Sequence, residues 1–212
     1  TQQFGIFSAV YYIGYGGLQI PMGMLFDKYH PKYVAAFCVI VCSLGSFCIS
    51  FSDQVFMAYL GRILIGLGSV GGVLSVIRAV NDFFPNNYSF MLGITVFIAV
   101  IFGGIYGGVP ILKALKHYPV EVVMQYLGLL ALVISILIFT TYQKPPKKEE
   151  TEEEFSVIAA LITSIKDPKL LLAGIAGGFM VGPLEGLADA WLPKYLIQIH
   201  HLTEAQAAWA AT

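Results

Sequence analysis

Long apolar runs parted by short polar knots make up most of the 212-residue chain. The runs cover approximately residues 4–26, 33–51, 55–83, 90–115, 120–142 and 170–197, and another opens at 203. Each of the six is long enough to cross a hydrocarbon core, which takes about 20 helical residues. They are continuous and do not alternate, so the strands of a membrane barrel are a poor alternative. The pattern predicts an all-α membrane protein with six transmembrane helices and the start of a seventh.

Residues 143–168 break this pattern. Pro145-Pro146 and Lys147-Lys148 precede five glutamates between Glu149 and Glu154, which reads as a solvated linker and not as a regulatory site. Residues 155–165 suit an amphipathic helix lying on a membrane surface. The organisation expected is therefore a first bundle over 1–142, a linker over 143–168 and a second bundle beginning at 169. The chain lacks an initiator Met and a cleavable signal peptide, opens in the approach to one membrane helix and stops as another begins. That predicts a fragment of a longer protein.

Composition sharpens the membrane assignment. Hydrophobic residues make up 57% and charged residues only 12%, against about 25% charged in a soluble domain. A net charge of -1 and the absence of a Lys/Arg stripe argue against a nucleic-acid partner. Cys38, Cys42 and Cys48 share one apolar run without His or carboxylate at ligand spacing, so they read as small buried hydrophobes and not as a metal site. No hydrolase triad, phosphate-cradling loop or metal cluster is present in the sequence, so neither enzymatic chemistry nor a cofactor is expected.

The knot Gly23-Met24-Leu25-Phe26-Asp27-Lys28-Tyr29-His30-Pro31-Lys32 carries the most specific signal. Asp27, Lys28 and Lys32 hold a turn in water, and Pro31 stops one helix from running into the next. The pattern Gly-x-Leu-x-Asp-Lys-x-x-Pro-Lys resembles the loop between the second and third helices of the major facilitator superfamily of secondary transporters. The usual family form is Gly-x-Leu-x-Asp-Arg-x-Gly-Arg-Lys; here His30 replaces Gly and Pro31 stands near the family's Arg. The resemblance implies a helical bundle in which the six runs are family helices two to seven, helix one and most of the second half being missing. Placing the knot in the cytoplasm puts Lys28, Lys32, Lys144, Lys147, Lys148, Lys166 and Lys169 inside, against Lys113, Lys116 and Lys194 outside, as the positive-inside rule favours.

Charges within or beside the apolar runs are the candidate machinery. Arg62 lies in Leu60-Gly61-Arg62-Ile63-Leu64-Ile65-Gly66-Leu67-Gly68, which resembles the family's fourth-helix signature Arg-x-x-x-Gly-x-Gly. There the Arg is associated with proton coupling or substrate charge. Burial in lipid would cost roughly 2.5–3.5 kcal/mol, so Arg62 either faces protein or a wet cavity, or snorkels to the outer interface. Gly68 and Gly72 form a small-xxx-small pair for close helix packing, as do Gly103, Gly104, Gly107 and Gly108. The latter loosely resemble the family's antiporter signature but lack its Gly-Pro dipeptide. Arg78 and Asp82, four apart, can pair within a helix. By resemblance, Asp27 locks an inner gate by engaging Arg78 or a neighbouring helix end; the alternative is a set of unconnected interfacial charges.

Glu185 and Asp189 sit one turn apart after Gly182-Pro183, where a broken helix borders substrate sites in other transporters. Two carboxylates there raise each other's pKa, which makes Glu185 the candidate proton carrier, against a structural ion pair with Arg62 or another helix. Tyr11, Tyr15 and Gln19 at helical spacing suit either a polar solute cavity or interhelical packing. His200 and His201 read as solvent residues. These features predict a secondary active transporter moving a small polar organic solute, with Arg62 hinting at an anionic group, by alternating access and proton coupling. The expected setting is multi-pass in a bacterial inner membrane, as a monomer when full length. A transporter-like receptor without flux, or an unrelated scaffold or channel subunit, are the other readings.

Overall fold

A computed structural model describes residues 2–52, 54–142, 166–185 and 191–211 of the chain. All regular structure among them is helical. The chain divides into two compact units, Thr1–Pro146 and Lys147–Thr212. The predicted linker and surface helix fall mainly on residues 143–165, outside the described residues.

In the first unit α1 (Gln2–Gly17) and α2 (Gln19–Lys28) share the first apolar run. The run was expected to form one helix, but it breaks at Leu18. Pro21 is the physical cause, since it has no N–H for the carbonyl of Gly17 and its ring crowds that carbonyl. Next come α3 (Pro31–Ser50) and α4 (Val55–Phe83), then a 3₁₀ turn at Pro85–Asn87. The fourth run is likewise split, into α5 (Tyr88–Gly107) and α6 (Val109–His117). The joint is Gly108 at ψ -110°, two residues before Pro110 and opposite the carbonyl that Pro110 cannot bond. The unit ends with α7 (Val120–Thr141).

Among the described residues four segments are long and apolar enough to cross a membrane: Pro31–Ser50, Val55–Phe83, Pro85–His117 and Val120–Thr141. α3 is the centre of the unit, packed along α4 on one side and α7 on the other, while α1 lies on α4. The core gathers Met22 and Phe26 of α2, Val34, Ala35 and Cys38 of α3, and Val70 of α4.

Two devices let these helices approach. Between α3 and α4, a Cβ added at Gly45 would stand 2.7 Å from the Gly61 carbonyl, and one at Gly61 2.6 Å from the Gly45 carbonyl. Only hydrogen fits at that spacing. Gly68 and Gly71 meet Cys38 and Cys42 of α3, and Gly66 meets the backbone of Tyr11 on α1. The predicted partner of Gly68 was Gly72, but Gly72 points to open space because the α3 contact lies along Gly61, Gly68 and Gly71. Gly103 and Gly107 also meet nothing, and α5 buries none of its residues, so the packing expected of these two glycines is not made among the described residues.

Between α3 and α7 the device is polar. Ser43 donates to the Gly128 carbonyl at 2.8 Å, Ser135 to Ala36 at 3.0 Å and Ser50 to Glu121 at 2.8 Å. Each hydroxyl finds its acceptor on the opposite helix, which suits a medium without water to supply one.

The second unit contains α8 (Pro168–Glu185), α9 (Leu192–His200) and α10 (Glu204–Ala211). The sixth run was expected as one helix over 170–197; it is described as α8 and α9, with 186–190 outside the described residues. Pro183 lies within α8, and the residues that follow Glu185 are outside the described residues. His201, at φ 53°, turns the chain into the left-handed region and ends α9.

Candidate functional site

The turn between α2 and α3 is two residues long. Tyr29 leaves α2 in an extended conformation, and His30 is the N-cap of α3, directly followed by Pro31 at its first position. The cap is complete: Pro31 has no N–H to satisfy, His30 Nδ1 accepts from the Lys32 N–H at 3.2 Å, and the His30 carbonyl accepts from the Tyr33 N–H at 3.0 Å. Phe26, buried in the core, anchors the end of α2 and so presents Asp27 on the next position outward.

Arg78 of α4 reaches this point. Its Nη1 donates to Asp27 Oδ1 at 3.1 Å, and its Nε donates to Asp82 Oδ2 at 3.2 Å, one turn on along α4. One guanidinium therefore joins carboxylates from two helices. The carboxylates differ in environment, for the Asp82 side chain is 7% exposed and that of Asp27 is 70% exposed. Asp82 depends on Arg78 for charge compensation, whereas Asp27 has water as an alternative partner. Beside the triad lies a cavity of about 320 Å³, lined by Gly23, Phe26, Asp27, Ile77, Arg78 and Tyr88 among others. Among the described residues Lys28 and Lys32 take no carboxylate; Lys28 sits over the Tyr29 ring, and Lys32 over the rings of Phe139 at 4.4 Å and Tyr33 at 5.7 Å.

Arg62 is the second charged position. It is half-buried on α4, with its guanidinium carbon 4.6 Å from the centroid of Phe7 on α1, a cation–π arrangement. Its Nε has no hydrogen-bond partner among the described residues, and Tyr11 and Tyr12 lie within electrostatic reach. The Tyr11 and Tyr15 rings stack at 5.9 Å, and Tyr11 meets Tyr12 edge-on at 5.2 Å. Gln19, expected to continue the Tyr11–Tyr15 stripe, is exposed beyond the break at Leu18, on α2.

The family model for the Major Facilitator Superfamily matches residues 1–212, the whole of this sequence. The chain belongs to the major facilitator superfamily. It is accordingly a multi-pass integral membrane protein of a transporter superfamily, all-helical, whose members carry small molecules across membranes. No curated protein sequence matches it.

Within this superfamily chain, the structure brings Asp27, Arg78 and Asp82 together, with Gly23 on the rim of the same cavity. Arg62, Tyr11 and Tyr15 form a separate group between α1 and α4. The Glu185 side chain and Asp189 lie outside the described residues. Among the described residues there is no cluster of His, Cys, Asp or Glu fit to hold a metal. Sequence reasoning missed Tyr142, which stands at the end of α7 within electrostatic reach of Asp82 and Arg78. Its ring meets His30 edge-on at 6.0 Å and Phe83 at 6.1 Å. Burial first and Asp82 second push its phenol above the usual range, with Arg78 opposing. A polar ring just after an apolar run is the only signal the sequence offered, and it is shared by most interfacial tyrosines.

Proposed function

We propose that the chain is part of a secondary active transporter that moves a small polar organic solute by alternating access, driven by protons. The six apolar runs then correspond to family helices two to seven, with the α2–α3 turn in the cytoplasm of a bacterial cell. In this reading Asp27, Arg78 and Asp82 are an inner latch that holds α2 against α4 when the cytoplasmic side is closed. Gly23 lines the cavity beside the latch, and Lys28 and Lys32 keep the turn at the membrane surface.

The observation that supports the reading best is the position of Arg78, within 3.2 Å of carboxylates on two different helices at the mouth of a cavity. A latch needs a contact that crosses helices and can be given up at small cost, and the exposed Asp27 arm meets that need. Arg62, whose Nε has capacity to spare, suits an anionic group on the solute, with Tyr11 and Tyr15 as neighbouring hydroxyls. Glu185 and Asp189 remain the proposed proton pathway.

The test is solute accumulation in proteoliposomes made with the intact protein. Uptake that a protonophore abolishes supports proton-coupled transport, and solute binding without flux would turn the reading into that of a receptor. Asp27→Asn is expected to abolish uptake while membrane insertion stays intact. Full uptake by Asp27→Asn refutes the latch.

A further inference from the structure

We infer that α6 lies along the membrane surface as an amphipathic anchor, with Leu115 in the upper acyl layer and Lys113 and Lys116 against phospholipid phosphates. This part of the first unit has no role in the latch, and the inference holds whichever side of the membrane α6 faces.

Length keeps part of Pro85–His117 out of the hydrocarbon. At about 1.5 Å per residue, the 20 residues of α5 are about 30 Å long and match the core by themselves. Asn86 and Asn87, both exposed, mark the level at which α5 enters, so Gly107 is where it leaves. The chain returns at that same level, for α7 starts at Val120, carries Glu121 in its first turn and with 22 residues is about 33 Å long. The nine residues of α6, about 13 Å, have to fit between these two points. Standing upright, α6 would lift His117 by that full length, whereas the three steps from His117 to Val120 reach about 11 Å at full stretch. A helix laid along the surface needs no such return. Gly108, at ψ -110° where a helix has about -42°, turns the chain onto it.

The side chains sort by face to suit that position. With about 3.6 residues per turn, Lys113, Lys116 and His117 share one side of α6, and Ile111, Leu112, Ala114 and Leu115 share the other. The three polar residues are exposed. On the apolar side Ile111, Leu112 and Ala114 are half-buried, which leaves Leu115 open. Exposed tyrosines stand at both ends of the segment, Tyr106 in the last turn of α5 and Tyr118 just after α6, and tyrosine collects at the level where lipid meets water. Among the described residues neither lysine pairs with a carboxylate. Phosphates complement two such cations, and they sit where the acyl chains begin. A helix at this depth therefore satisfies both of its faces, with the lysine stems reaching to the headgroups. Any deeper, the hydrocarbon would strand two ammonium groups.

The test uses the intact protein in lipid nanodiscs, which open both membrane faces to solvent. Leu115→Trp adds a tryptophan to Trp191 and Trp209, whose emission is measured in the wild type and subtracted. Bromines high on the acyl chain should quench the new tryptophan more than bromines near the chain end, and its emission should be blue-shifted from that in water. The thiol of Lys113→Cys should react with a charged maleimide, above the background of Cys38, Cys42 and Cys48 in the wild type. Both positions are exposed, so the substitutions leave the packing of the unit in place. Stronger quenching by the deep bromines, or a Lys113→Cys thiol shielded until detergent is added, puts α6 inside the core and overturns the inference. A Leu115→Trp protein that no brominated lipid quenches overturns it as well, because α6 then stands clear of the membrane. The phosphate contact has its own readout. Adding phosphatidylglycerol to phosphatidylcholine discs should enlarge the blue shift of Leu115→Trp, and Lys113→Gln with Lys116→Gln should abolish that gain; a gain that persists without the two lysines refutes the contact.

Discussion

Arg78→Gln is expected to destabilise the protein several times more than Asp27→Asn, although both cut the same ion pair. The difference comes from what each change leaves behind. Without Arg78, the Asp82 carboxylate, 7% exposed, loses its cation and keeps its burial. Orphaning one member of a fully buried pair costs about 3–5 kcal/mol. The Arg78 side chain is 36% exposed, so solvent screens part of this and about 2 kcal/mol is a fairer figure. Without the Asp27 charge, Arg78 still holds Asp82 and the lost arm is 70% exposed, worth about 0–0.5 kcal/mol. At about 2–4 °C per kcal/mol for a chain of this size, Arg78→Gln should lower Tm in detergent by about 4–8 °C and Asp27→Asn by about 2 °C or less. The Arg78→Gln/Asp82→Asn double variant should recover about half of the loss, because the orphaned carboxylate is gone. Equal effects of Arg78→Gln and Asp27→Asn, or additive loss in the double variant, would refute the argument that burial of Asp82 sets the asymmetry. Uptake separates the roles, since Asp27→Asn should stop transport with little change in Tm.

Three further outcomes follow from the packing and the membrane carboxylates. Gly61→Ala should cost about 1–3 kcal/mol, because its Cβ would meet the Gly45 carbonyl at 2.6 Å, while Gly72→Ala, facing open space on the same helix, should be neutral or slightly stabilising; thermal melts of the two variants side by side check this. Ser43→Ala removes the 2.8 Å bond to Gly128 and should cost about 0.6–1.7 kcal/mol, with loosened α3–α7 packing visible as faster exchange in α7. Glu185→Gln should leave downhill solute movement intact and abolish accumulation against a gradient; a variant that still accumulates solute removes Glu185 from the coupling mechanism.

Much of the local architecture was legible in the sequence. The α4 run, residues 55–83, has the same bounds in the structure, because nothing between Val55 and Phe83 interrupts the backbone ladder and Pro85 stops it. The turn at Asp27 to Pro31 was equally plain, since a proline at the head of α3 has few other uses. The breaks at Leu18 and Gly108 had signals in Pro21 and Pro110, but an apolar run long enough to span outweighed them. Hydrophobicity reports where a chain goes in lipid and says little about where its backbone bends.

Tertiary structure alone decided which residues meet. The charges at Asp27 and Arg78 stand 51 positions apart, and the sequence offered Arg78 or a neighbouring helix end as equal partners. The choice depends on how α2 and α4 are rotated and raised against each other, which the packing of Phe26 and Val70 in one core determines. The same holds for glycine: Gly68 and Gly72 are alike as letters, yet only Gly68 faces α3, because a few tens of degrees of helix rotation divide a contact from open space. His30 and Tyr142 were ordinary interfacial residues until folding set their rings 6.0 Å apart beside Asp82. Chain order specified the charges, the turn and the membrane; the fit of α3 between α4 and α7 specified their partners.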